Sequence, residues 1–219
     1  MTARSGFGPG FSRVLDIVIA TVVLIVTAPL MVAVAAAIRV SSPGPVIFRQ
    51  ERIGRSGETF TLYKFRTMRS DATDDAHREF VSALITAPDR TDGAAADSRD
   101  GSQYKLADDG RVTAVGHWLR RYSIDELPQF FNVLDGSMAV VGPRPGLGYE
   151  AELYGDLERR RLLVKPGITG LWQVSGRNRL SMRQMFELDA RYVTERSVRL
   201  DLEILRRTPR ELVRPSGAA

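Results

Sequence analysis

VLDIVIATVVLIVTAPLMVAVAAAIRV, residues 14–40, decides the architecture of this chain. From Ile17 to Ile38 no side chain is charged, and a run of that length can cross a bilayer as a helix. Three readings compete. A signal peptide would use Arg4 and Arg13 as its basic start and Ala33 to Ala37 as its cleavage region, but the apolar part is longer than signals use. A plain spanning anchor satisfies the hydropathy. A re-entrant helix–break–helix, entering one leaflet and returning, would use Pro29, which removes a backbone donor and crowds the preceding turn. Arg4 and Arg13 precede the run, and Arg39, Arg49, Arg52 and Arg55 follow it. Both cationic flanks can face the cytoplasm only if the segment turns back. The residues alone suit a kinked spanning helix and a re-entrant helix equally.

Outward from that run, the 219 residues fit one domain plus an appendage. The chain has 31 Lys and Arg against 26 Asp and Glu, a formal charge of +5 and a pI near 9.9. Nucleic acid, an anionic membrane face or a phosphorylated substrate would each suit that balance. The absence of cysteine excludes disulfides, thiolate metal sites and cysteine nucleophiles. With only His77 and His117, any metal should be a hard cation held by oxygen, which favours Mg²⁺.

Residues 1–12 are rich in Gly and Ser and read as a flexible N-terminus. SSPGP then marks a turn, and residues 45–68 read as a β-hairpin with IGRSGE as its loop. Alternation puts Phe60, Leu62, Lys64 and Arg66 on one face, apolar at first and cationic at its end. That is the pattern of a strand running out of a core into a site, although solvated surface cations would look the same. A helix is expected over 70–86 and a mobile loop over 86–103. Residues 147–163, 181–195 and 200–213 show helical apolar spacing with many arginines, and Pro209 reads as a break. Basic amphipathic helices of this kind can lie on an anionic bilayer or pack on a core.

The chemistry concentrates in LRRYSIDELPQFFNVLDGSMAVVGPRP, residues 119–145. Ser123 and Glu126 have capping-box spacing, so capping alone could explain them. A helix starting at Ser123 would place Pro128 where a backbone donor is needed, whereas a start at or just before Pro128 avoids that loss. Either start sets Asp125 and Glu126 at the positive end of a helix that stops near Gly136. An ionised aspartate is a competent phosphoryl acceptor, and a neighbouring glutamate can hold Mg²⁺. Arg144 lies between two prolines, which lowers the cost of aiming its guanidinium at a phosphate. KPGITG (165–170) is a rigid turn leading into LWQVSGRNR, read as a strand and tight turn, where Arg177 and Asn178 follow Gly176. Glu187 and Asp189, at i and i+2, do not share a helix face.

The runs SPGPVIFRQERIG, FTLYKFRTM, RVTAVGHWLRRYSIDELPQFFNVLDGSMAVVGPRP, KPGITGLWQVSGRN and FELDARYV, in that order, resemble the bacterial monotopic phosphoglycosyl transferases. The resemblance covers most of residues 13–208 and is closest to the family's minimal catalytic form. It implies an α/β fold with a re-entrant membrane helix over 13–40, breaking at Ala28-Pro29. A small mixed domain over 41–215 would sit on the cytoplasmic face of the inner membrane, with interfacial amphipathic helices. It also implies that Asp125 attacks the β-phosphate of a nucleotide sugar, usually a UDP-hexose. UMP would leave, and a polyprenyl phosphate would then take the sugar-phosphate from the aspartate. Glu126 would bind Mg²⁺. Lys64, Arg66, Arg120, Arg144, Arg177, Asn178 and Asp189 are the implied substrate-binding residues. The implied partners are the nucleotide sugar, the polyprenyl phosphate and membrane lipid, with a homodimer left open and nucleic acid not expected. Many family members have Ser-Pro at the membrane break, whereas this chain has Ala28-Pro29 with Thr27 one residue earlier. The rival reading is a membrane-anchored basic binding or scaffold protein without catalysis, but no recognised nucleic-acid motif accompanies the cations.

Overall fold

The apolar run forms one helix, α1 (Pro9–Ser41), with Pro29 inside it. In this computed structural model the described residues are 9–69, 78, 82, 83, 85, 86, 110–176 and 180–213. The two arms expected around Ala28-Pro29 are not separated by non-helical residues. Two residues before the proline, the Thr27 hydroxyl donates to the Val23 carbonyl at 2.7 Å, the i to i−4 back-bond common where a helix is disturbed. Residues 12–41 are long and apolar enough to cross a membrane, and most of that surface is exposed to the surroundings.

What is buried on α1 forms a narrow stripe. Ala20 packs with Val133 and Met138 in the main core, while Val34 and Ile38 pack with Phe65 and Leu119 in a second cluster. Near its start, Arg13 donates to the carbonyls of Val133 and Leu134, and Asp16 accepts the Val140 amide at 2.9 Å. Both ends of α1 are therefore fastened to the same globular body, about 35 Å apart along the helix if it were straight. Between them Val22, Ile25, Val26 and Val32 stay exposed.

The expected hairpin is present as antiparallel β1 (Ile47–Ile53) and β2 (Thr59–Phe65), with Phe48 opposite Lys64 and Gln50 opposite Leu62. Leu62 is buried in the main core and Phe65 in the second cluster, so β2 is covered on both faces. Of the helix expected over 70–86, residues 78, 82, 83, 85 and 86 are helical and the remainder lies outside the described residues. Residues 87–103 of the expected loop also lie outside them. Helix α2 (Ala114–Arg121) starts at Thr113, whose hydroxyl accepts the Gly116 amide at 2.9 Å. Gly116 is required there because a Cβ would lie 2.1 Å from the Thr67 carbonyl oxygen.

A 3-10 turn (Ile124–Glu126) leads into α3 (Gln129–Asp135), with Pro128 at its N-cap and left-handed Gly136 at its end. This agrees with a helix starting at Pro128 and stopping near Gly136. Capping by Ser123 is not seen: its side chain makes no cap bond and its backbone is left-handed. A second sheet pairs β3 (Ala139–Val141) in parallel with β4 (Gly167–Thr169). The crossover between them holds α4 (Gly148–Glu152), α5 (Asp156–Arg159) and a 3-10 segment (Arg160–Leu163), so the single amphipathic helix expected over 147–163 is in fact three short pieces. The strand expected at LWQVSG is also corrected. Trp172–Val174 is a 3-10 turn, with the Val174 amide reaching back to Gly170. The strand lies earlier, at β4, where Gly167 can approach Gly142 closely enough that a Cβ would lie 2.1 Å from its nitrogen.

Helix α6 (Met182–Glu195) begins with a capping box between Ser181 and Gln184. Helix α7 (Val198–Val213) passes through Pro209 without interruption and closes the main core with Ile204. The whole is a mixed assembly of helix and sheet, built around the apolar helix α1.

Candidate active site

Asp125 and Glu126 are presented by a sharp turn. Ser123 takes φ 54° and ψ 25°, a left-handed conformation that a residue with a Cβ adopts only at a cost. It reverses the chain between α2 and the 3-10 turn. From Ile124 the backbone is helical in character through Asp135, so Asp125, Gln129 and Asn132 fall at i, i+4 and i+7 on one inward face. All three are buried.

Asn132 binds the hairpin to this helix. Its Oδ1 accepts the Tyr63 amide at 3.0 Å and its Nδ2 donates to the Thr61 carbonyl at 2.8 Å, completing the free edge of β2. That bond sets Lys64, the next residue on β2, against the acid pair. Glu126 Oε1 lies 3.2 Å from Lys64 Nζ and 3.1 Å from an Arg144 guanidinium nitrogen. One carboxylate thus gathers two cations that come from separate elements. Burial would raise the Glu126 carboxyl, but Lys64 and Arg144 outweigh it and hold the group far below the usual carboxylate range. Burial pushes Lys64 below its ordinary value against the pull of Glu126. For Arg144 burial acts downward too, yet Glu126 beside it leaves the group above its ordinary value.

The Arg144 loop is a buried ribbon from which only this residue emerges: Val141–Pro143 and Pro145–Leu147 are buried and Arg144 is not. Arg52 on β1 lies behind it, donating to the Pro145 carbonyl at 3.1 Å and to Gln50. The other expected substrate-binding residues have protein contacts of their own. Arg66 turns back to the end of α1, donating to the carbonyls of Ser42 and Pro43 at 2.8 Å. Arg120 donates to the Thr67 hydroxyl at 2.9 Å. Asp189 on α6 is fully buried and forms an ion pair at 2.8 Å with Arg161. Burial pushes its carboxyl up to about 6, with Arg161 pulling the other way. Glu187 instead pairs with Arg183 at an exposed position, so Glu187 and Asp189 have separate partners. Arg177 and Asn178 lie outside the described residues.

Arg52, Gln129, Asn132 and Arg161 carry no conspicuous signal in the sequence. The i, i+4, i+7 spacing from Asp125 could have flagged Gln129 and Asn132. Gln129 has a further property: its buried amide nitrogen has no hydrogen-bond partner among the described residues.

Two cations and two acids thus converge from the hairpin, the Ser123 turn and the Pro-Arg-Pro loop. Residues 9–215 match the family model described as bacterial sugar transferase. The chain belongs to that family. It is 40% identical over 94% of its length to galactosyl transferase CpsE of Streptococcus agalactiae, spanning 43% of that protein. It is 39% identical over 90% of its length to the exopolysaccharide production protein ExoY of Sinorhizobium fredii, spanning 82% of it. Against the UDP-glucose:undecaprenyl-phosphate glucose-1-phosphate transferase of Escherichia coli, identity is 38% over 93% of this chain and 40% of the relative. The chain therefore spans about two fifths of the streptococcal and Escherichia coli relatives.

Proposed function

We propose that this sugar transferase moves a sugar-1-phosphate from a nucleoside diphosphate sugar, most simply a UDP-hexose, to a polyprenyl phosphate. The observation that carries this reading is Glu126 set between Lys64 and Arg144, directly beside Asp125. Held by Glu126 next to Asp125, the two cations would offset the charge of a diphosphate that meets the Asp125 carboxylate, the place where preorganised charge is worth most. In the first step an Asp125 oxygen attacks the phosphorus that bears the sugar. The bond to the bridging oxygen breaks, and the nucleoside monophosphate leaves with that electron pair. In the second step an oxygen of the polyprenyl phosphate attacks the same phosphorus. The aspartate departs as a carboxylate, and a polyprenyl-diphospho-sugar remains. Lys64 and Arg144 offset the charge on the phosphoryl oxygens in both steps.

Among the described residues no group of three or more His, Asp or Glu side chains converges. A metal here would rest on one or two carboxylates and on substrate oxygens, a common way to hold Mg²⁺ beside phosphates. Both cationic contacts fall on Glu126 Oε1, so among the described residues these two cations leave Oε2 to other partners. Glu126 is the residue that would hold an Mg²⁺ here, beside the Asp125 nucleophile. Bound there, it would neutralise charge on the diphosphate.

The membrane arrangement follows from α1. A helix fastened at Arg13 and Asp16 and again at Val34 and Ile38 to one body cannot place those ends on opposite sides of a bilayer. This supports a monotopic, re-entrant α1 whose exposed apolar middle is the part in lipid, with the globular body on the cytoplasmic face of the inner membrane. Intact-protein mass after mixing the enzyme, Mg²⁺ and a panel of UDP-sugars without lipid acceptor tests the chemistry. A hexose-phosphate adduct is expected in wild type and not in Asp125→Asn. Absence of both adduct and UMP release, even with polyprenyl phosphate added, would refute the proposal.

A further inference from the structure

The loop bearing Arg144 has an unusual hydrogen-bonding problem. Pro143 and Pro145 have no N–H, so this stretch offers mainly acceptors, and it is buried on either side of Arg144. Four consecutive carbonyls are nevertheless satisfied. Pro143 accepts from the Gly167 amide at 2.8 Å and Gly146 from the Ile53 amide at 2.9 Å, both backbone donors of the strands. Pro145 accepts from Arg52 at 3.1 Å. Arg144 itself accepts from Arg161 Nη2 at 2.7 Å.

Arg161 is buried and engaged through both terminal nitrogens, while its Nε has no hydrogen-bond partner among the described residues. Its side chain is 10% exposed and its Nη2 lies 2.8 Å from Asp189 Oδ2, on a residue 1% exposed. Its Nη1 donates to the Tyr154 hydroxyl at 3.1 Å. Its guanidinium carbon lies 5.7 Å from the Tyr154 ring centroid and 5.1 Å from that of Phe186. A buried ion pair of this kind is a poor device for stability alone, since apolar residues of similar volume usually serve as well or better. What apolar residues cannot do is deliver a directed N–H to the one carbonyl whose own residue points its side chain at Glu126.

We propose that Arg161, oriented by Asp189, is a positioning residue that fixes the peptide of Arg144 and thereby the direction of its guanidinium toward the transferred phosphate. The proposal rests on the site reading given above. It gives Asp189 a role one residue removed from the substrate, through Arg161, in place of the direct contact expected from the sequence. Displacing a catalytic group by about 1 Å can cost on the order of a hundredfold in rate.

The test is a double-mutant cycle on the full-length protein in lipid nanodiscs, with thermal unfolding followed in parallel. Arg161→Lys keeps the charge and loses the fork. It should lower kcat/KM for the nucleotide sugar about 10- to 100-fold, and Asp189→Asn should do the same with almost no change in volume. In an Arg144→Gln background each should cost less than about threefold, because the group they position is gone. Equal losses in the two backgrounds, or no loss in the first, would overturn the proposal and leave Arg161 a structural residue. A second readout needs no turnover: the Arg144 Nε–H order parameter measured by NMR in ligand-free protein. It should be high in wild type and fall in Arg161→Lys. An unchanged value would also overturn the proposal. Wild type with no activity toward any donor would overturn the site reading, and the Arg144 order parameter in Arg161→Lys alone would then decide whether Arg161 fixes the Arg144 side chain.

Discussion

Asn132→Ala should be among the most damaging single changes outside the acid pair. The side chain is 1% exposed and joins the helix behind Asp125 and Glu126 to the hairpin bearing Lys64. Removing it strands the Tyr63 amide and the Thr61 carbonyl. An unsatisfied buried group costs about 1–3 kcal/mol, so two cost about 2–6. Thr61 is exposed and water can replace part of its bond, which puts the expectation in the lower range, about 2–4 kcal/mol. For a chain of this size that corresponds to a fall in Tm of roughly 4–16 °C. The assay is thermal unfolding in nanodiscs, read by tryptophan fluorescence. Ser137→Ala is the control. It loses the 3.2 Å contacts with Asn132 Nδ2 and the Asn132 carbonyl and a bond to Asp135 at a partly exposed turn, and should cost under about 1 kcal/mol. Asn132→Ala within 1 kcal/mol of wild type, or no worse than the control, would refute the claim that this amide holds the hairpin in place.

Two further outcomes follow from other parts of the fold. Burial pushes the Asp201 carboxyl up to about 6, against the hydrogen bond it accepts from Tyr192 at 2.8 Å. Between the ordinary carboxylate value near 3.9 and about 6, the folded state then binds more protons than the unfolded state, so stability falls as pH rises through that window. Asp201→Asn should flatten that fall and raise Tm at pH 7–8, and an unchanged pH profile would show that Asp201 titrates normally. The chain has no cysteine, so single cysteines at Ser12 and Val40 report topology cleanly. A membrane-impermeant maleimide should reach both from the same side of sealed vesicles, and labelling from opposite sides would establish a spanning α1.

Much of this architecture is legible locally. The hairpin follows from alternation broken by Gly54 and Gly57, and the stop of α3 follows from Gly136, whose φ of 93° suits a residue without a Cβ. The helical start at Pro128 follows from the missing N–H of proline. Local patterns mislead where a tertiary contact outbids them. Ser123 has the spacing of a cap, yet the chain needs a reversal there more than it needs a cap, and it takes a left-handed turn. Arg66, just after β2, also fastens the end of α1 by donating to the Ser42 and Pro43 carbonyls, a contact that no local pattern announces. Residues 147–163 have helical periodicity, but the short span between β3 and β4 divides them.

The sequence by itself determined the membrane-seeking helix, the hairpin, the acid pair and the proline-bracketed arginine, because each depends on neighbours within a few positions. Which cations meet Glu126, which arginine orients the Arg144 peptide and why both ends of α1 touch one body were decided only by the tertiary structure. Those contacts join residues separated by 17 to 121 positions. A guanidinium is the same donor wherever it occurs in a sequence, and only packing settles which acceptor it reaches.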